Sequence, residues 1–446
     1  MPDKTAEEVF GEVQDAARAS GVRDIEAILA RETQALTRFA NNAIHQNVAE
    51  RTTHLSVRPL IDGRTARAST NRLDREAIRA VVEEAIAIAR LTEPDPELTS
   101  MAEPAGYPRV RRRFDDTARA NPEERARAVA EAIRAVDSHA QTAAGIYSTG
   151  ESEFALMNSN GVSASHAETM ARFSITAMAA DSSGWAKASA CRHTDLNPLE
   201  LAQTTARKAA ASSSPREVPA GRYTVILEPA AVLDLTGQMF GDFSATAVRD
   251  GRSFLNDRLG KKLFGDNITI YDDALHPLQS GPPFDGEGVP RRRLTLVERG
   301  MVREVAYCRQ AAALAGVPPT GHGYPLPNET GEAPANIAIE GGATTVEDMV
   351  ASTERGILVT RFWYIREVDP YEKIFTGMTR DGTFLVEGGK IAGGVRNFRF
   401  NQSLIEMLSN VESLSAPVRA SGEEAFDMVV PAMKVGNFNF TEMTRF

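Results

Sequence analysis

The sequence predicts an α+β fold in two domains: helices packed on a mixed or antiparallel sheet in the N-terminal half, and a strand-rich C-terminal half. Three observations carry this prediction. Segments with apolar residues three and four apart are interspersed with extended segments that end in turn residues such as Asp62-Gly63 and Ser159-Asn160-Gly161. Ser, Pro and Gly concentrate between Ser212 and Gly221, which divides the chain into residues 1–214 and 221–446. At 446 residues the chain exceeds one typical domain and can bury two cores.

Residues 5–19 place Val9, Phe10, Val13, Ala16 and Ala17 toward one helical face, and Gly21 stops that helix. Extended segments follow at 27–33, 36–41 and 53–61, the last leading into a tight turn at Asp62-Gly63. In 74–90, Ile78, Val81, Val82, Ala85, Ile86 and Ala89 recur at helical spacing and predict a second helix. After a Pro-containing stretch at 93–108, Asn121 as N-cap, Pro122 at the first position and Glu124 three residues past the cap predict a helix to about Ala140. Strands at 144–148, 153–158, 163–180 and 185–193, with turns at Ser159-Asn160-Gly161 and Asp181-Ser182-Ser183-Gly184, predict an antiparallel sheet. A helix from Pro198 to about Ser212 closes this half. The second half, from Tyr223, alternates short strands with Gly/Pro loops at 281–290 and 316–334, and loops of that length are more often functional or interfacial than idle. The sequence holds no internal repeat and no low-complexity tract.

A formal net charge of −10 argues against nucleic-acid binding through bulk electrostatics. Arg111-Arg112-Arg113 and Arg291-Arg292-Arg293 are short runs that read as solvated loop or element ends, with local carboxylate recognition as the alternative. Two cysteines, Cys191 and Cys308, exclude a disulfide framework and a Cys-rich zinc site, and indicate a reducing compartment. The acidic start Met1-Pro2-Asp3-Lys4-Thr5-Ala6-Glu7-Glu8 is unlike a signal peptide, and no apolar stretch of about 18 residues occurs. The expectation is a cytoplasmic protein without a membrane partner.

Several blocks, in order along the chain, carry a resemblance. They are Asn158-Ser159-Asn160-Gly161, Gly184-Trp185-Ala186, Gly251-Arg252-Ser253-Phe254-Leu255 with Leu259-Gly260, Phe284-Asp285-Gly286-Glu287-Gly288-Val289-Pro290, Thr379 to Ile391, and Phe398-Arg399-Phe400. Their order and spacing over nearly the whole chain resemble the TldD/PmbA metallopeptidase family. The resemblance implies that catalytic members hold zinc with the two histidines of a His-Glu-x-x-x-His motif and a cysteine near the C-terminus, with substrate peptide lying as an added strand in a groove.

None of those ligands transfers to this chain. The segment 225–237, similar in position and surroundings to the motif, reads Leu227-Glu228-Pro229-Ala230-Ala231-Val232-Leu233-Asp234 and holds no histidine. The seven histidines are followed by Gln46, Leu55, Ala140, Ala167, Thr194, Pro277 and Gly323, so no His-Glu pair exists, and no cysteine lies beyond Cys308. The resemblance therefore implies an E-type (PmbA-like) subunit with no metal ligand of its own, with zinc expected in a D-type (TldD-like) catalytic partner. It assigns no catalytic or substrate-binding residue here. Unfolded peptide is the implied substrate of the assembly. Two other readings stay open: an enzyme in its own right with a divergent site on the family scaffold, and a homodimeric peptide-binding scaffold.

Other residues are weighed on their own chemistry. Glu228 reads as an exposed helix-start carboxylate and Asp234 falls on a different helical face, against metal binding by the pair. Asp272, Asp273, His276, Asp285 and Glu287 could hold a divalent ion or run acid/base chemistry, but read more plainly as a turn-rich loop. His166-Ala167-Glu168 lacks the Pro-Cys-x-x-Cys that a deaminase zinc site needs. His322, on a Gly-rich loop, reads as exposed, with reach into a site as the alternative. Cys191 and Cys308 read as inert buried thiols rather than nucleophiles.

Overall fold

The computed structural model describes residues 4–444. The chain opens with α1 (Ala6–Ala19), capped by Thr5, whose hydroxyl accepts from the Glu8 amide while the Glu8 carboxylate accepts from the Thr5 amide. Then come β1 (Ile25–Ala40), β2 (Ala43–Ile61), β3 (Arg64–Thr65), β4 (Ala68–Thr70), α2 (Arg75–Leu91), α3 (Asp115–Ala118), α4 (Pro122–Asp137), β5 (Thr142–Asn158), β6 (Ser163–Met178), β7 (Ser183–Ala190) and α5 (Pro198–Ala211). Asp74, Asn121 and Asn197 cap the second, fourth and fifth helices through their side chains, and α4 ends at Asp137, short of the expected Ala140.

These strands form one seven-stranded sheet in the order β3-β2-β1-β5-β6-β7, with β4 also on β2. Three expectations are corrected here. Residues 27–33 and 36–41 are one strand, the strand expected from Thr53 begins at Ala43, and 144–148 and 153–158 are also continuous. The expected breaks fell on polar stretches such as Thr33-Gln34 and Thr149-Gly150-Glu151-Ser152. Those residues stay in the ladder, with Thr33 paired to Arg51 on one side and Glu151 on the other; Thr33 is exposed, whereas Thr149 is buried and its hydroxyl accepts from Arg125.

Helices grip this sheet at its two ends. At one end Val9, Val13, Val81 and Val82 from α1 and α2 pack on Leu29, Leu55, Val57 and Met157. At the other, Val129, Val136, Ala202 and Ala206 from α4 and α5 pack on Phe39, Tyr147 and Phe173.

The C-terminal part is strand-rich. It runs through β8 (Gly221–Leu227), α6 (Pro229–Thr236), α7 (Ala245–Arg249), β9 (Ile270–Asp272), β10 (Leu294–Glu298), β11 (Met301–Val302), α8 (Arg309–Ala315), β12 (Ile337–Ile339), β13 (Arg355–Asp369), β14 (Ile374–Glu387), β15 (Lys390–Gly394), β16 (Phe398–Ser403), β17 (Val411–Leu414), β18 (Val418–Ala420), β19 (Met428–Val430) and β20 (Met433–Met443). One sheet is ordered β13-β8-β20-β16-β14-β15, and pairing of β13 with β14 closes it on itself. Alternating inward residues fill it with aromatics: Phe398 stacks on Phe440 at 4.6 Å between centroids and Phe362 on Phe438 at 5.8 Å. The other sheet is ordered β11-β10-β9-β12-β19-β18. A single large core joins both, with α6 inserted through Val232, Leu233 and Leu235. No helix among the described residues is long and apolar enough to cross a membrane.

Candidate functional site

Two places in this fold gather polar chemistry. The first is the strand-to-helix element that resembles the family's metal segment. β8 runs parallel to β13, and the Glu228 amide donates to the Val359 carbonyl at 3.1 Å, after which Pro229, with no amide proton to satisfy, starts α6. The Glu228 carboxylate does not cap its helix; it pairs with Lys208 of α5 and is mostly covered, so the expected exposed carboxylate is corrected to a cross-domain ion pair. Asp234 is sealed inside. Its Oδ2 accepts from the Phe362 amide at 3.1 Å, and its Oδ1 from the amides of Glu423 and Glu424 at 3.3 and 3.2 Å. Burial pushes its carboxyl up to about 6 in spite of those bonds and of nearby Arg361.

Zinc does not fit this element. Both Asp234 oxygens are committed to backbone amides, Glu228 is committed to a lysine, and neither an imidazole nor a thiolate stands with them. Among the described residues, no group of three or more His, Cys, Asp or Glu side chains is placed to hold a metal ion.

The second place is a groove of about 550 Å3 between the face of the N-terminal sheet and the two Gly/Pro loops. Ala30, Thr52, His54 and Phe154 form one wall, and Phe284, Arg291, His322 and Pro325 the other. His322 corrects the expectation of exposure: it is 1 % exposed, with Nε2 3.0 Å from Asp272 Oδ1 and Nδ1 2.9 Å from Thr320 Oγ1. The loop comes this close because glycines line its path. A Cβ on Gly321, which has a φ of +77°, would lie 2.3 Å from the Pro290 carbonyl oxygen, and one on Gly323 would lie 2.2 Å from Glu287 Oε2.

The turn reading of Asp285 and Glu287 is right for the backbone and incomplete for the side chains. Asp285 Oδ1 accepts from the amides of Glu287 and Val289 at 3.0 and 2.9 Å, and its Oδ2 from the Gly323 amide at 2.7 Å. Glu287 Oε2 accepts from the Arg309 amide at 2.8 Å, while Oε1 is buried without a partner among the described residues. Burial and the Asp285 charge push the Glu287 carboxyl up to about 8, so it holds a proton at neutral pH. Asp273 closes the turn by accepting from the Leu275 amide, and burial lowers the pKa of His276 beside it.

The other residues singled out in the sequence divide between those that keep their expected roles, such as the exposed Arg292 and Arg293 and the buried thiol of Cys308, and those that depart from them. Arg112 is buried, not solvated; it donates to the Gly281 and Ala274 carbonyls and ties the two domains together. Arg292 and Arg293 lie at ion-pair distance from Glu304 and Glu340, and Arg291 Nη1 is buried without a partner among the described residues. His166 Nε2 sits 3.5 Å from Glu168, whose carboxylate accepts from the Gly281 amide. Burial and Glu332 push the Cys308 thiol up to about 12, and Cys191 is half-buried with its pKa also raised. Sequence reasoning missed Arg67, which donates to the Leu326 carbonyl at 2.6 Å across the domain boundary. Residues 259 positions apart leave no local signal of their meeting.

The chain matches three domains of one family in order: PmbA/TldA metallopeptidase domain 1 over residues 25–89, the central domain over 114–213 and the C-terminal domain over 220–442. It is 24% identical to the metalloprotease PmbA of Escherichia coli O157:H7 over 387 residues, 83% of each chain. It is 25% identical to a metalloprotease of Methanothermobacter thermautotrophicus over 309 residues, spanning 63% of this chain and 65% of that one. Its fold is similar to that of TldE from Thermococcus kodakarensis, with a TM-score of 0.87 at 20% identity over 96% of this chain and 100% of the other. With the three matched segments spanning residues 25–442 in family order, this chain belongs to the PmbA/TldD metallopeptidase family.

Proposed function

We propose that the chain is a non-catalytic, E-type subunit of a TldD/TldE-like zinc metallopeptidase assembly that processes unfolded peptides in the cytoplasm. One observation carries the reading: where the family's metal segment is expected, Glu228 and Asp234 are both bonded within the chain, and no imidazole or thiolate joins them. The zinc and the activated water then belong to a D-type partner. This chain's contribution is shape. The groove between the N-terminal sheet and the 281–290 and 316–334 loops offers apolar walls from Phe154, Phe284 and Pro325 to an extended peptide.

A second reading, a divergent enzyme on the same scaffold, draws on Glu287, a buried carboxyl that stays protonated at neutral pH beside Asp285. Purification alone and with a D-type partner, followed by metal analysis and peptide-cleavage assays, separates the two. The E-type reading expects a stable complex, zinc only in the complex, and cleavage only there. Chelator-sensitive cleavage by the isolated chain overturns it.

A further inference from the structure

We infer that the groove between the N-terminal sheet and the two Gly/Pro loops selects peptides that carry an acidic side chain, and that Arg291 is the residue that pairs with it. The inference rests on the reading of the groove as a peptide site and names the class of sequence it takes. The groove, at about 550 Å3, is in the size range of ligand sites.

Arg291 stands in the loop wall with donors to spare. Its Nε donates to the Phe284 carbonyl at 3.3 Å, its Nη1 has no partner, and no carboxylate among the described residues lies at ion-pair distance from it. Its charge is felt by two carboxylates, Asp272 and Asp285, but their oxygens are filled by other donors. Asp272 takes His322 and the amides of Ala335 and Asn336. Asp285 takes the amides of Glu287, Val289 and Gly323. A guanidinium presents a planar fork of donors that fits a carboxylate, and between apolar walls such a pair is stronger than in open water.

The backbone narrows the choice of anion. A chain-end carboxylate is captured by free backbone amides, and the amides of these loops are engaged. Asp285 and Asp272 hold those named above, the Gly286 amide donates to the Gly323 carbonyl, and the Tyr324 amide donates to the Gly331 carbonyl. A side-chain carboxylate needs only the fork.

The other charges in the walls leave Arg291 as the place for it. Arg31 is held by Glu153 at 2.9 Å, so it offers no competing site. Glu32 stands exposed on the sheet wall, without an ion pair among the described residues, and turns an acidic side chain toward the loop wall. The chain's net charge of −10 repels acidic peptides at a distance, so the preference is a property of this contact and not of the overall field.

The test is fluorescence anisotropy of the full chain with a labelled, C-terminally amidated peptide of Gly, Ser, Ala and Leu that carries Glu, Gln or Lys at its central position. Salt at about 0.15 M screens the long-range charge. The Glu peptide is expected to bind about tenfold more tightly than the Gln peptide, and the Lys peptide most weakly. Arg291→Met should bring the Glu and Gln peptides to equal affinity, and Arg291→Glu should reverse the order in favour of Lys. Circular dichroism confirms that each variant is folded; if neither folds, the wild-type peptide series decides. Thr52→Trp, at an exposed position on the sheet wall, should fill the groove and weaken every peptide. Equal binding of the Glu and Gln peptides by the wild type, or a Glu preference that survives in folded Arg291→Met, overturns the inference and leaves the peptide groove standing. A Gln peptide with a free C-terminal carboxylate that outbinds the amidated Glu peptide moves the selectivity to the chain end and also overturns it. No binding of any peptide, or binding indifferent to Thr52→Trp, overturns the groove reading together with the inference.

Discussion

Asp272, at the end of β9, and His322, on the loop after α8, face each other at 3.0 Å with both side chains sealed from solvent. The other Asp272 oxygen accepts from the amides of Ala335 and Asn336 at 2.6 Å each. The pair therefore fastens the 316–334 loop to a central strand and fixes one wall of the groove.

Removing His322 strands a buried charge. Burial pushes the Asp272 carboxyl up, but His322, Arg291 and the Asn336 amide together hold it below the usual carboxylate range. We expect His322→Leu to cost about 3–5 kcal/mol, and Asp272→Asn less, because the amide carries no charge. A carboxyl lowered by folding stabilises the native state above its unfolded pKa, and that contribution is lost as pH falls through its folded value. Urea unfolding at neutral pH, and an acid-unfolding midpoint displaced upward in His322→Leu, check this.

Glu287 predicts the opposite slope. Its folded pKa of about 8 exceeds the ordinary 4.5, so its stabilising contribution is full below 4.5 and lost as pH rises through 8. Glu287→Gln keeps an acceptor for the Arg309 amide and cannot ionise. Between pH 5 and 8 the wild type should lose on the order of a few kcal/mol relative to this variant. Parallel slopes in the two unfolding series would refute the assignment.

Glu26 holds two guanidiniums. Arg58 reaches it through Nε at 3.1 Å and Nη2 at 2.9 Å, and Arg67 at 2.6 Å while donating to Leu326. Burial raises the Glu26 carboxyl, and the two arginines outweigh it and leave the pKa lowered. Glu26→Gln should destabilise by about 3–5 kcal/mol. Arg67→Met should instead speed hydrogen exchange around Leu326, read by mass spectrometry on peptides from the 316–334 loop. Unchanged exchange there would show that Arg67 does not hold the loop.

The thiols should be inert. With its pKa pushed to about 12, Cys308 has almost no thiolate at pH 8. A disulfide reagent should leave it unmodified in the native protein, label Cys191 slowly, and label both in denaturant. Rapid native labelling of Cys308 would contradict its environment.

The helices of the N-terminal half were legible because their signals are local. Asn121, Pro122 and Glu124 sit within one turn; the expected cap is present, and the Glu124 carboxylate completes a box with it. The long strands were not. Thr33 and Glu151 are paired across the sheet, and a polar residue inside an exposed ladder looks like a loop residue until its partner is known. The same limit governs the polar sites. Asp272 and His322, or Arg67 and Leu326, meet only through tertiary folding, so His322 read as a loop-surface residue and Arg67 carried no signal. The missing histidines, by contrast, were a property of composition and needed no coordinates.

The continuous strand β5 contributes Ala155 and Met157 to the core beneath α1 and α2, and Ala143 and Tyr147 to the core beneath α4 and α5. Two hydrophobic clusters thus share one covalent backbone and one ladder. Melting either cluster frays strands on which the other depends, so the N-terminal domain should denature as a single cooperative unit, with no half-folded intermediate.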